Sequence, residues 1–225
     1  MTTHGTAPAW RNAAPKRRAA DVAYDAIETM VATLALEPGS AVVEAEIAAA
    51  IGLGRTPVRE ALLRMVSIGL ITQQPRRGLQ VSNIDLADHL DVVQTRRVLE
   101  RLLVACAARR ATAPQRQAIV QCARQMLDAA QCGHLDGYML ADHALDQVVH
   151  QASQNASAVK CVAPLVVRCR RFWYAYQHEG EMTEDARAHV QLAEGIATGD
   201  EARAVAGANA LMDYLERFAR RIIDQ

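Results

Sequence analysis

Between residues 52 and 82, GLGRTPVREALLRMVSIGLITQQPRRGLQVS, glycine and proline fall at intervals that few folds satisfy. Gly52 ends a short helical pattern over 44–51, Pro57 stands in the first turn of a second over 56–68, and Gly69 closes it. Proline suits a first helical turn because the N–H it lacks would have no partner there. Two runs, LITQ and LQVS, then flank Pro75-Arg76-Arg77-Gly78, a hairpin whose glycine supplies the turn conformation. Upstream, Val22, Ala23, Ile27, Met30, Val31 and Leu34 recur at helical spacing over 21–34. The Glu-Pro-Gly-Ser turn at 37–40 stops that helix, and AVV at 41–43 is β-like. Helix, strand, helix, helix, hairpin is the order of a winged helix-turn-helix, whose second close-set helix fits a DNA major groove.

This stretch carries five arginines, Arg55, Arg59, Arg64, Arg76 and Arg77. Arg55 and Arg59, four apart, project from the N-terminal part of the helix over 56–68, where they reach guanine edges or phosphates. Thr56 can donate to a phosphate beside the positive helix end. Arg76 and Arg77 sit at the wing tip, placed to touch the DNA backbone or a minor groove. Singly, such arginines read as ordinary surface charge; gathered on the groove-facing positions of one module, they read as a nucleic-acid contact. The whole chain of 225 residues balances 25 basic against 25 acidic side chains, which excludes a uniformly basic nucleic-acid binder. Residues 1–82 hold nine basic and seven acidic side chains and residues 83–225 hold sixteen and eighteen, so a polyanion is met by the front of the chain. Residues 1–18, with Arg11, Lys16, Arg17 and Arg18 against no acid, read as a disordered basic tail.

From residue 85 the β-like alternation disappears, and helical stretches are expected over 85–110, 114–131, 135–153, 155–177, 184–198 and 201–223. Pro114 suits a helix start, Gly133 and Gly137 mark a break, Asn155 can cap, and Gly199-Asp200 ends one helix and caps the next. Pro164 is expected to kink or split its helix. The fold class is therefore mainly α: an N-terminal winged helix-turn-helix (19–82) followed by an all-α antiparallel helical bundle (83–225) whose centre can take a small ligand. In ADHALDQVVHQASQN, Asp146 and His150 stand four apart on one helical face, with His143 on the same stripe. A carboxylate and an imidazole so spaced can share a divalent cation with His189 from a neighbouring helix; the alternative is a histidine hydrogen-bonded at a helix surface. Arg96 can clamp an effector carboxylate or pair with Glu100 one turn on. Arg168, Arg170 and Arg171 are further candidates for that clamp, and the FWYAY that follows reads as bundle core.

The stretch LEPGSAVVEAEIAAAIGLGRTPVREALLRMVSIGLITQQPRRGLQVS resembles the GntR family of bacterial transcription regulators over about 50 residues. The resemblance implies DNA contact from Arg55, Thr56 and Arg59 on the recognition helix and from Gly78 in the wing. Two positions depart from the pattern: Gly54 stands where the family has Ser or Thr, and Ala45 where some relatives carry a DNA-contacting arginine. The missing hydroxyl weakens the helix cap by about 1 kcal/mol or less. The second half resembles the FCD ligand-binding domain of the FadR-type branch of that family. This implies Asp146, His150 and His189 as ligands of a divalent metal such as zinc, a small organic acid bound at or near it, and Arg96, in an Arg-x-x-Leu-Glu match, toward that acid. The family's fourth ligand, a histidine, is replaced here by Leu211 or Tyr214, depending on where the count begins.

The expectation is a ligand-responsive regulator, a repressor acting as a homodimer on double-stranded operator DNA, because one recognition helix reads too few base pairs for useful specificity. An alternative from another class is a metal-dependent hydrolase using Asp146, His150 and His189; no Gly-rich phosphate loop, HExxH or nucleophile elbow accompanies them. A third is a nonspecific architectural DNA binder, with affinity almost blind to sequence and strongly salt-dependent. The five cysteines, Cys106, Cys122, Cys132, Cys161 and Cys169, lack CxxC spacing and read as reduced, mostly buried thiols. No apolar run reaches the roughly 18 residues of a membrane span and the first residues lack a signal-peptide core, so a cytoplasmic protein with no membrane partner is expected.

Overall fold

The computed structural model describes residues 17–224. The expected tail over 1–18 lies outside them as far as residue 16. Its last two residues are held by ion pairs, Arg17 to Asp25 at 2.6 Å and Arg18 to Glu60 at 3.2 Å. The chain divides into two compact units, one holding residues up to 30 together with 39–82, the other 31–38 together with 83–225.

The first unit is built from α1 (Ala19–Ala32, whose last turn passes into the second unit), β1 (Ala41–Val42), α2 (Glu44–Ile51), α3 (Arg55–Ser67), β2 (Ile71–Gln74) and β3 (Gly78–Val81). Gly52 ends α2 in the left-handed region at φ 66°, donating its N–H to the carbonyls of Ala48 and Ala49. Three residues later α3 begins, so α2 and α3 make the tight helix pair. Val58, Ala61, Leu62 and Met65 recur at helical spacing and are buried, which fixes the face that α3 turns inward. Ala23 and Ile27 of α1 are fully buried in this unit's core, with Ile71 and Val81 from the wing at 1% exposure. The wing is three-stranded, order β1-β3-β2, all antiparallel, with Ala41 opposite Gln80 and Gln74 opposite Gly78. Its tip departs from expectation. Gly78 takes a positive φ of 83°, but so does Arg76, at 65°, where a β-carbon costs about 1 kcal/mol.

The second unit contains α4 (Leu86–Arg110), α5 (Ala113–Gln131), α6 (Leu135–Ser153), α7 (Ala156–Tyr176), a 3-10 turn (Gln177–Glu179), α8 (Met182–Thr198) and α9 (Glu201–Ile223). Side chains cap four of these helices: Asp85 accepts from the N–H groups of Ala87 and Asp88, Asn155 from Ala158, Asp200 from Arg203, and Thr112 forms a reciprocal box with Gln115. Central α4 touches α6, α7, α8 and α9, and α8 packs along α9 as α5 does along α6. Pro164 does not split its helix. α7 runs through it because Val162, Val166 and Val167 are buried on either side, and the carbonyl that proline leaves free belongs to exposed Lys160. Gly137, expected in the break before α6, lies inside that helix; Gly133, at φ 66°, makes the break alone. The thiols also differ from expectation. All five are free, but only Cys106 and Cys169 are buried, while Cys132 and Cys161 stand on exposed positions. No helix of the described residues is long and apolar enough to cross a membrane.

Candidate functional site

The face of α3 opposite its buried residues carries Arg55, Thr56, Arg59 and Arg64, all exposed, and Arg76, Arg77 and Gly78 stand exposed at the wing. Their surroundings separate them. Arg64 donates to Asp21 at 2.9 Å and lies 4.3 Å above the Tyr24 ring, so this guanidinium belongs to the packing of α1 on α3. Arg59 has only a loose ion pair, 3.7 Å from Glu44, and its side chain is 71% exposed. Among the described residues no ion pair engages Arg55, Arg76 or Arg77. Gly54 caps α3 without a side-chain hydrogen bond, leaving the first N–H groups of the helix unclaimed by any side chain. Four arginines and a bare helix N-terminus thus present positive charge and donors to solvent, the arrangement that receives phosphate oxygens and base edges.

In the second unit a cavity of about 30 Å³ lies among α4, α6, α7, α8 and α9. α4 supplies Arg96, α6 Tyr138, Asp142 and Asp146, α7 Arg170, and α8 Asp185 and His189. Arg170 is the hub: its Nε donates to Asp142 Oδ2 at 2.5 Å and its Nη2 to Asp146 Oδ2 at 2.6 Å. His189 approaches the other oxygen of Asp142, Nε2 to Oδ1 3.6 Å, while its Nδ1 lies 3.0 Å from the Asp185 carbonyl. Tyr138 donates its hydroxyl to Asp185 Oδ2, and Asp185 Oδ1 is buried without a hydrogen-bond partner. Burial alone would raise Asp142, but the charges of Arg170 and His189 outweigh it and hold this carboxyl below its ordinary range. Burial raises Asp185. For His189 burial acts downward, yet the carboxylates of Asp185 and Asp142 prevail and raise its pKa.

The sequence-derived candidates distribute unevenly over this geometry. Arg96, Asp146 and His189 line one cavity; His150 is not in that lining, and its Nε2 is buried without a hydrogen-bond partner. Arg96 donates to Glu100 at 2.9 Å, and this i to i+4 pair is buried rather than on a helix surface. Asp142, Asp185 and Tyr138 were missed by sequence reasoning, although Asp142-x-x-x-Asp146 and Asp185-x-x-x-His189 repeat the spacing that singled out Asp146 and His150. Arg170 stood only among further candidates. The donors do not fit a divalent metal as they stand. Asp142 and Asp146 each spend an oxygen on Arg170, Leu211 offers no donor, and the Tyr214 hydroxyl already accepts from Trp173 Nε1 at 3.2 Å. Among the described residues no group of three or more His, Cys, Asp or Glu is placed to hold an ion.

Comparison with known proteins places both units. The FCD domain family matches residues 91–214, and the family of bacterial regulatory proteins, gntR family, matches residues 19–81. An uncharacterized HTH-type transcriptional regulator in an unstable DNA locus of Streptomyces ambofaciens is 42% identical over 77 residues, 34% of this chain and only 33% of that protein. The Nta operon transcriptional regulator of Aminobacter aminovorans is 30% identical over 146 residues, covering 63% of this chain and 67% of that one. Among solved structures, Escherichia coli McbR/YncC superposes with a TM-score of 0.78 over 92% of this chain and 100% of that one, at 18% identity, which speaks to fold alone.

Proposed function

The chain belongs to the gntR family of bacterial regulators with an FCD domain, a family of transcriptional regulators rather than enzymes, and from that premise we propose a repressor that releases its operator when a small organic acid binds. The observation that carries the DNA half is the outward, weakly paired set Arg55, Arg59, Arg76 and Arg77. A chain with no net charge keeps three guanidinium groups clear of its own carboxylates on one module and a fourth, Arg59, only loosely paired. In this reading α3 enters the major groove with Arg55 and Arg59 on base edges or phosphates, Thr56 donates to the backbone, and the wing tip with Arg76, Arg77 and Gly78 follows the strand. The strained φ of Arg76 fits a residue aimed at a ligand.

The effector enters the cavity of the second unit. Its carboxylate meets Arg96 and Arg170, the two buried guanidiniums of the lining. About 30 Å³ holds a water or a single ion, so an acid of several carbon atoms enters only as the Arg170 contacts to Asp142 and Asp146 give way. That exchange alters how α6 and α7 are tied together, and it is the event that changes operator affinity. The active species is a cytoplasmic homodimer. Exposed Val98 and Leu102, four apart on α4 at 69% and 44% exposure, support a surface for a second copy.

Selection of bound fragments from the source genome, with and without candidate organic acids, tests the whole reading. The expected result is a short two-fold-related sequence whose recovery falls with one acid. Fragments without a shared sequence would sink it.

A further inference from the structure

We infer that Arg170 is the resident cation of the bundle cavity, taking the place a metal ion would hold, so that this chain senses its effector without a bound metal. The inference concerns the cavity already proposed for the effector. Its test reads metal rather than operator or acid, so the two readings can fail separately.

Asp142 and Asp146 stand one turn apart on the same face of α6, both largely buried, with side chains 14% and 15% exposed. Two such carboxylates repel one another in a low-dielectric site, and a cation between them offsets that repulsion. The cation here is covalently part of the chain. The Arg170 side chain is 7% exposed, and its planar fork directs Nε to one carboxylate and Nη2 to the other. A guanidinium cannot shed its proton, so its charge is not lost by titration. His189 Nε2 lies 3.6 Å from the remaining oxygen of Asp142, and its Nδ1 lies 3.0 Å from the Asp185 carbonyl.

A divalent ion taking Asp146 would share its carboxylate with Arg170 and would sit against a buried positive charge. Its other ligands are also deficient. His150 is outside the lining, and neither Leu211 nor Tyr214 offers a free donor. The cation function has moved from a coordination sphere into a side chain on α7. Substituting that side chain leaves Asp142, Asp146 and His189 facing one cavity, a donor set of the type that takes zinc.

The test uses full-length protein purified without a residual affinity tag from cells grown with added zinc. Metal content is measured by mass spectrometry, and thermal unfolding is followed with and without Zn²⁺. Wild type is expected to contain far less than one equivalent of any transition metal and to melt at the same temperature with Zn²⁺. Arg170→Gln is expected to bind about one equivalent and to melt higher with Zn²⁺, as a ligand specific to the folded state requires. Wild-type protein carrying one equivalent that is lost in Asp146→Asn, His150→Ala or His189→Ala overturns the inference. So does a folded Arg170→Gln that still refuses Zn²⁺. Circular dichroism establishes that the variant is folded; if it is not, Arg170→Met replaces it, and the wild-type metal content decides independently.

Discussion

His89 is buried at the start of α4 with its ring flat against Phe172, centroids 3.6 Å apart and planes inclined by 6°. Burial, aided by the nearby Arg168 charge, lowers its pKa to about 4. Its unfolded pKa is near 6.5, so between these values the unfolded chain binds more protons than the folded one, and stability falls as pH drops through that window. The loss approaches about 3 kcal/mol once pH is below both values. His189, with a raised pKa, acts oppositely: its contribution is complete below the unfolded value and is lost as pH climbs through the folded one. Denaturant unfolding at pH 7 and pH 4.5 on wild type and His89→Phe isolates the first effect, since His189 is common to both; equal pH dependence would refute it. At the same scale two of the exposed arginines of α3 should separate. Arg59→Ala is expected to cost about 1–3 kcal/mol at the operator and little in folding. Arg64→Ala, losing an exposed ion pair and a ring contact, should cost about 1 kcal/mol of stability and little operator affinity. Unfolding curves and binding at fixed salt read both, and an exchange of the two phenotypes would remove Arg59 from the DNA face.

Between α8 and α9 the packing depends on two glycines. A β-carbon at Gly195 would lie 2.3 Å from the Ala204 nitrogen, and one at Gly207 would lie 2.4 Å from the Leu192 nitrogen. The pairs 195–204 and 192–207 run in opposite directions, so the helices are antiparallel and their backbones nearly touch along a full turn. Alanine normally improves a helix interior over glycine by about 0.5–1 kcal/mol. Here Gly195→Ala and Gly207→Ala should instead destabilise by about 1–3 kcal/mol, because both helices must shift; urea unfolding of each variant checks the sign. The sequence announces Gly199, which sits beside a helix cap, but not Gly195 or Gly207, whose role exists only across a helix pair. The same limit explains what else escaped the sequence. Turn and cap chemistry is local, so the wing, the α2–α3 turn and the caps at Asn155 and Asp200 were legible. Of the kink or split expected at Pro164, the split does not occur, because burial on both sides of it overrides a local rule. In the cavity, Asp146 and His189 were legible by spacing and resemblance. Asp142, Asp185 and the bridging of Arg170 across two helices were not, since a charge pair between α6 and α7 leaves no periodic signature on either helix alone.

For the whole molecule the proposed switch obeys a thermodynamic constraint that needs no knowledge of how its parts move. If an acid lowers operator affinity by some factor, operator DNA must lower affinity for that acid by the same factor. Regulators of this kind couple their sites by about 1–3 kcal/mol, or roughly 5- to 150-fold. The proposed dimer enters the same balance, because two linked recognition helices would bind one operator with an effective concentration that a monomer lacks. Val98→Asp, placing charge at the exposed apolar position of α4, should therefore yield monomers in sedimentation and lose operator affinity while leaving the acid's affinity for protein alone unchanged. The decisive measurement titrates the acid found by fragment selection into free protein and into protein saturated with operator. The two dissociation constants should differ by the factor by which the acid shifts the operator constant. Equal acid affinities in both states, beside a real loss of operator binding, would mean that the acid acts on DNA binding by some route other than the cavity, since a ligand with no preference between two states moves neither.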